Sequence, residues 1–363
     1  MFDEKYMKRC LQLAVNGRSN AIPNPVVGAV IVYEDKIIGE GFHSVSGRAH
    51  AEVNAVASVK KRELLKDSTL YVSLEPCSHY GKTPPCAELI IRKQIPRVVI
   101  GIQDPFAEVA GRGIRMLRES GVQVSVGVLE EECRKINNRF ITFHTGQRPY
   151  VVLKWAQTKD GYIDVIRDYE KEPAAVISNE ITQIKLHKFR SQVGGIMVGT
   201  NTAIKDNPSL TVRLWEGRNP VRIFIDRQLR VPEQAALLNG ETETIVFTAK
   251  NDTPVRKNVE YVCLDFSRNI IPQILCELYK RNIQSLLVEG GRTLLEAFID
   301  AGIWDEARIE IAGKTFGGGI QAPVLYGEVM SIEKYGDSSL VSIKNNGFPM
   351  KSSSQYRSIS NFS

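Results

Sequence analysis

Two stretches of this 363-residue chain carry residue types that bind and activate a transition metal: His50-Ala51-Glu52, and then Pro76-Cys77 followed by Cys86. One imidazole and two thiolates make a three-ligand zinc set. The fourth tetrahedral position stays open to water, which is what separates catalytic from closed structural zinc. Zinc lowers the pKa of bound water to about 7, so hydroxide is available at neutral pH. Glu52, two residues beyond the histidine, is placed to shuttle protons beside that position. The chain has only 5 His and 6 Cys, so this set in this order stands out against a thin background. The plainer alternative is that Cys77 and Cys86 are core thiols and His50 a surface residue. Cys10, Cys133, Cys263 and Cys276 are expected to be packing residues.

Zinc deaminases of nucleobases carry H-x-E…P-C-x-x-C, with the Glu as general acid/base and not a ligand. Here the cysteines are separated by the longer run Ser-His-Tyr-Gly-Lys-Thr-Pro-Pro, a departure from that spacing. The second half holds looser signals. Lys154 ends a predicted strand, where a lysine is ordinarily just solvated. Gly199-Thr200-Asn201-Thr202 leads to Asp206 and on to Arg213, a loop dense in side-chain donors. Glu289-Gly290-Gly291-Arg292-Thr293 places two glycines between a strand and a helix, where backbone N–H groups can approach a phosphate. A lone Gly-Gly there is more often a tight turn, and the full dinucleotide fingerprint is absent from this stretch.

Periodicity supplies the elements that must hold these residues. In the first half it predicts helices over 3–16, 50–65, 86–93, 111–120 and 130–143, a hairpin from 26–33 and 36–42, and strands over 69–74, 97–102 and 122–128. A polar break at 144–149 divides the chain. Beyond it, strands are expected over 150–156, 195–199, 221–226, 244–248, 261–264, 285–289 and 307–312. Helices are expected over 179–191, 270–281 and 292–301. Alternating strands and helices at this pitch imply two α/β domains with largely parallel sheets.

The stretch Asn24-Pro25-Val26-Val27-Gly28, with the run from Glu75 to Cys86, closely resembles the deaminase half of the bifunctional riboflavin biosynthesis deaminase/reductase family. In that family the longer loop is normal and marks a pyrimidine nucleotide substrate. The second-half elements, in their order, resemble its reductase half, so the resemblance covers nearly the whole chain except about the last thirty residues. It implies a cytidine-deaminase-like three-layer α/β/α domain over 1–147 and a dihydrofolate-reductase-like α/β domain over 148–363. It implies one Zn2+ held by His50, Cys77 and Cys86, with Glu52 shuttling protons and Asn24, His43, Ala51, His79 and Lys82 contacting substrate. In the reductase half it implies NADPH held by Ala156, Val176, Thr202, Asp206, Arg227, Gly291, Arg292, Thr293, Leu294, Leu295, Glu296 and Ala297. Ala174, Arg190, Leu210, Arg213 and Glu289 would line the substrate, with Arg190 and Arg213 suited to its phosphate. Lys154, Asp206 and Glu289 would be the ionisable groups near the reacting carbon. The chain departs from the family pattern in Lys159, where Leu is usual, and in Val176-Ile177-Ser178, which replaces a common Trp-Ile-Thr.

The activity so implied is deamination of a diaminopyrimidinone ribosyl phosphate by zinc hydroxide, then reduction of the ribosyl group to ribityl with NADPH. A nucleoside or base deaminase with an unrelated second domain, and a non-catalytic zinc and ligand-binding protein, are the alternatives. Apolar residues at 43% and charged residues at 24% exclude a disordered or collagenous chain. The net charge of +6 is spread through both halves, which disfavours nucleic acid as the main partner and suits an anionic small molecule. No apolar run reaches membrane-spanning length, and residues 1–16 lack the apolar core of a secretory signal. A cytoplasmic homo-oligomer with reduced thiols, bound to neither nucleic acid nor membrane, is therefore expected.

Overall fold

The computed structural model describes residues 2–18, 21–80, 84–105, 110–169 and 171–347. The chain divides into two compact units, Met1–Gln147 and Arg148–Ser363.

The first unit opens with helix α1 (Phe2–Val15), whose inner face is the buried set Tyr6, Met7, Cys10, Leu13 and Ala14. Asp3 and Glu4 occupy its first turn, where the helix dipole favours negative charge. Strands β1 (Gly28–Tyr33) and β2 (Lys36–Phe42) form a hairpin across Glu34-Asp35, both with positive φ, the turn that matches strand twist. Then follow α2 (Ala51–Ser58), β3 (Thr69–Leu74), α3 (Cys86–Arg92), β4 (Arg97–Ile102), α4 (Arg112–Glu119), β5 (Gln123–Val126), α5 (Glu130–Ile136) and α6 (Asn138–Gly146). The sheet order is β2-β1-β3-β4-β5, with β1 antiparallel to both neighbours and β3, β4 and β5 parallel.

Two helices expected to be continuous are each split. The helix expected over 50–65 stops at Ser58, whose hydroxyl donates to the Ala55 carbonyl and accepts from Glu40 N. Val59 turns extended into the core, and the chain resumes as a short 3-10 turn, Arg62–Asp67. The helix expected over 130–143 breaks at Asn137. Its buried amide accepts from Val26 N at 2.9 Å and donates to Val26 O at 3.1 Å, so a side chain satisfies a loop backbone as a strand partner would.

The second unit begins with β6 (Tyr150–Thr158), β7 (Tyr162–Asp164), α7 (Glu180–Arg190), β8 (Gly195–Val198), α8 (Thr200–Lys205) and β9 (Val221–Ile225). It continues with β10 (Thr244–Thr248), β11 (Val259–Cys263), α9 (Ile270–Lys280), β12 (Ser285–Glu289) and α10 (Arg292–Asp300). It closes with β13 (Glu306–Ala312), β14 (Ile320–Gln321), β15 (Glu328–Tyr335) and β16 (Ser338–Lys344). The main sheet runs β11-β10-β9-β8-β12-β6-β13-β16-β15. Strands from β11 to β13 in that order are parallel, and β16 and β15 add antiparallel. Strands β8 and β12 are buried along their whole length, as apolar strands of a covered parallel sheet should be. The sequence reading did not foresee α8, the β7–β14 ribbon or the β15–β16 hairpin. The hairpin's outer strand is largely exposed and lacks a clean apolar alternation. Cys10 and Cys133 are buried packing residues as expected, but Cys263 and Cys276 are exposed. Among the described residues, no helix is long and apolar enough to cross a membrane.

Candidate active sites

In the first unit, His50 is the N-cap of α2, Cys86 opens α3, and Cys77 lies in the loop after β3. Gly41 on β2 lets α2 press close: a Cβ there would lie 2.4 Å from Ala55 N. Cys77 Sγ is 3.5 Å and Cys86 Sγ 3.4 Å from His50 Nδ1, and the three ligand atoms all lie within 4.8 Å of one another. Backbone amides finish the arrangement, with Cys86 N donating to Cys77 Sγ and Ala87 N to Cys77 O. The hydrogen bond from Cys86, with the His50 imidazole, holds the Cys77 thiol well below the ordinary thiol range against the opposing effect of burial. The same contact and burial push the Cys86 thiol up. One imidazole and two sulfurs so placed fit a zinc ion with an open fourth position.

Glu52 is buried at the first turn of α2. Burial, reinforced by Cys77, pushes its carboxyl up to about 7, so it can hold or release a proton near neutral pH. Glu75, also buried, fixes the loops around the cysteines. Its carboxylate accepts from Asp104 N, Gly111 N and Ile114 N.

Asn24 and His43 are brought together, with Asn24 Nδ2 3.0 Å from His43 Nε2. That contact makes Nε2 the acceptor and leaves Nδ1–H to donate to Ala49 O. The His43 ring meets His50 edge to face, 5.4 Å between centroids. Ala51 is buried at the start of α2, and His79 is exposed in the cysteine loop. Lys82 lies outside the described residues.

In the second unit a cavity of about 1070 Å³ opens at the C-terminal ends of β6, β8, β9 and β12, where open parallel sheets bind ligands. It is lined by Lys154, Ala156, Ala174, Val176, Arg190, Thr202, Asp206, Leu210, Arg213 and Glu289, and by Gly291, Arg292, Thr293, Leu294, Leu295 and Ala297. Gly290 and Gly291 both have positive φ and pack against Thr202, close enough that a Cβ on either would lie about 3 Å from its side chain. Lys154 and Glu289 are register partners on β6 and β12. Burial lowers the Lys154 ammonium, while Glu289 and Glu310 oppose that shift.

Three expected placements differ. Arg227 is not in the cavity lining and stacks over Phe266. Glu296 is not in the lining either; it pairs with Arg292 at 2.6 Å one turn back along α10. Arg190, expected at a phosphate, spends its guanidinium on protein. It bonds both carboxylate oxygens of Glu289, at 3.0 and 2.7 Å, and donates to Thr211 O.

The sequence reading missed Arg167, Asp164 and His187, all in the cavity lining. The Arg167 side chain is 5% exposed and joins Asp164, Glu172 O and Asp206. Burial raises the Asp206 carboxyl, with Arg167 opposing. Nothing local in the sequence marks Arg167, whose partner Asp206 is 39 positions away.

Comparison with known proteins bears on both units. Residues 1–102 match the cytidine and deoxycytidylate deaminase zinc-binding region, and residues 149–344 match the RibD C-terminal domain. The riboflavin biosynthesis protein RibD of Aquifex aeolicus is 41% identical over 322 residues, covering 88% of this chain and 89% of that protein. The chain belongs to the RibD family. RibD of Bacillus amyloliquefaciens is 39% identical over 90% of this chain and 88% of its own length. A solved deaminase/reductase from Thermotoga maritima superposes with a TM-score of 0.85 at 38% identity, covering 95% of this chain and 99% of that one. RibD is a bifunctional deaminase and reductase of riboflavin biosynthesis, with a zinc-binding deaminase domain and a reductase domain that uses NADPH. The donor set at His50, Cys77 and Cys86 fits the zinc of the RibD deaminase.

Proposed function

We propose that residues 1–147 deaminate a diaminopyrimidinone ribosyl phosphate and that residues 148–363 reduce the ribosyl group of the deaminated product. The Thermotoga maritima relative is named for this substrate pair. The observation that carries the reading is His50, Cys77 and Cys86 converging beside the buried Glu52 carboxyl.

His50 Nδ1, Cys77 Sγ and Cys86 Sγ would hold the zinc. When bound, zinc acidifies water to a pKa of about 7 and so supplies a nucleophile at neutral pH. Glu52 takes a proton on its carboxylate and delivers it to the departing amine, a role matched to a carboxyl poised near 7. Asn24, with its amide nitrogen turned to His43, presents its carbonyl oxygen to a ring N–H. Ala51, His79 and Lys82 complete the substrate contacts.

Reduction needs a hydride, which NADPH supplies when bound, and a proton, which the chain must supply. Lys154 Nζ holds that proton. Its burial favours release, and Glu289 alongside it keeps the ammonium oriented. Asp206, held by Arg167, and Thr202, packed on the Gly290-Gly291 turn, bind cofactor with the first turn of α10. Ala174, Leu210 and Arg213 face the substrate. The partners are thus small anionic molecules in a cytoplasmic homo-oligomer, without nucleic acid or membrane.

Purified full-length protein given the diaminopyrimidinone ribosyl phosphate, with and without NADPH, tests the reading when ammonia and NADPH are followed together. Ammonia appears in both arms and NADPH is consumed only in the second, after a lag. Ammonia without any NADPH consumption would instead fit a base deaminase with an unrelated second unit and would refute the reductase assignment.

A further inference from the structure

The two arginines first assigned to the substrate phosphate are not equivalent. Arg190 is neutralised by a bidentate carboxylate, Glu289. Arg213 is not: among the described residues it has no carboxylate within ion-pair distance. Its guanidinium is aimed by two neutral acceptors, Ser209 Oγ and Thr211 Oγ1. Of the two arginines expected at the phosphate, Arg213 alone keeps an unpaired guanidinium toward the cavity, and the question becomes which group supplies the next donor.

His187, in the last turn of α7, answers it. The residue is only 5% exposed, yet it lines the cavity with Arg213. Its Nδ1 accepts from Arg213 N at 2.9 Å, so in the neutral ring the proton must sit on Nε2. Among the described residues Nε2 has no partner, and it is not one of the fully enclosed polar atoms. It is an accessible, unpaired donor on a residue that lines the cavity.

We propose that His187 is a substrate-binding residue of the reductase, donating Nε2–H to the phosphate that Arg213 pairs with. This rests on the reductase reading above and names a residue of its anion subsite. A single hydrogen bond from Arg213 N sets both the tautomer of His187 and the backbone from which the Arg213 side chain projects. The neutral form persists across the working range. Burial, aided by Arg190 on the same helix and by Arg213 on the facing loop, holds the imidazole down to about 4, with Glu289 of β12 opposing. A neutral donor beside one free cation suits a phosphate. It adds a directed hydrogen bond without a further charge to desolvate.

The test separates donor from tether. Full-length His187→Asn keeps an acceptor near Nδ1 for Arg213 N but has nothing at the Nε2 position, whereas His187→Gln reaches that position with an N–H. Steady-state reduction is measured on the deaminated phosphoribosyl intermediate and on its dephosphorylated counterpart. For H187N, KM for the phosphorylated compound rises about tenfold more than KM for the dephosphorylated one, since a hydrogen bond to a charged group is lost. H187Q recovers most of that difference. Equal losses on the two compounds, or full recovery by H187N, would overturn the donor role and leave His187 a tether. Wild-type protein that reduces neither compound would overturn the reductase reading itself.

Discussion

Arg190→Met isolates the buried ion pair at the heart of the second unit. Both side chains of the Arg190–Glu289 pair are 10% exposed, and the guanidinium satisfies both carboxylate oxygens. Removing one partner of a buried pair leaves an uncompensated charge and costs about 3–5 kcal/mol. For a unit the size of residues 148–363, each kcal/mol lowers Tm by about 2–4 °C, so a fall of about 6–20 °C is expected. The pH dependence follows from Glu289. Burial pushes its carboxyl up, but Arg190 and then Lys154 pull it further down, to a net position below the ordinary value. The folded pKa is lowered, so the pair's contribution is present above the ordinary carboxyl range and is lost as pH falls through the folded pKa.

In R190M burial is opposed mainly by Lys154, and the carboxyl moves up and accepts a proton on acidification. Its deficit against wild type is therefore widest near about pH 8 and narrows toward about pH 5. Glu289→Gln strands the guanidinium beside Lys154 and His187. Arginine cannot shed its proton, so that deficit does not narrow. Replacing both residues by apolar ones recovers most of the loss, since no charge is left buried alone. The assay is thermal unfolding of the full chain across that pH range, read at the second unit's transition. A Tm loss below about 2 °C for R190M, or the same pH profile for both single variants, would refute the reasoning.

Glu52→Gln lowers ammonia release by at least about a hundredfold while reduction of supplied deaminated intermediate continues; unchanged ammonia release would remove the proton role. Gly113→Ala would put a Cβ 2.1 Å from Pro76 O, forcing the loop that carries Cys77 to move. Its zinc content, measured by metal analysis, should fall well below that of wild type. Asn137→Ala orphans Val26 N and Val26 O at a buried site, at about 1–3 kcal/mol for each group, and lowers the urea midpoint of the first unit. An unshifted midpoint would mean that those groups find other partners.

The zinc set was legible because its parts are local. A His-x-Glu at a helix start and a Cys at the next helix start are read from order and spacing, and the strands and helices between them follow from period. The central strands of the second unit were legible for a similar reason, as short apolar runs such as 285–289 bounded by turns. The outer hairpin of β15 and β16 was not, because an edge strand with one face in water has little pattern to read. The break at Asn137 also escaped. Residues 130–143 have helical spacing throughout, and the interruption is imposed by a loop that begins 111 positions earlier.

By itself, then, the sequence determined which groups could do chemistry here: three metal ligands, a carboxyl two residues from one of them, and two glycines before a helix. It also determined that two α/β units would carry them, since periodicity and turn chemistry are properties of neighbouring residues. Tertiary structure alone decided how those groups are charged and aimed. It committed Arg190 to Glu289 across 99 positions and left Arg213 unpaired. It tied Arg167 to Asp206, and by bonding Arg213 N to His187 it chose which imidazole nitrogen bears the proton. The physical reason is that ionisation and hydrogen bonding depend on distance and burial in space. Residues remote in the chain become neighbours only when the sheet has closed beneath them.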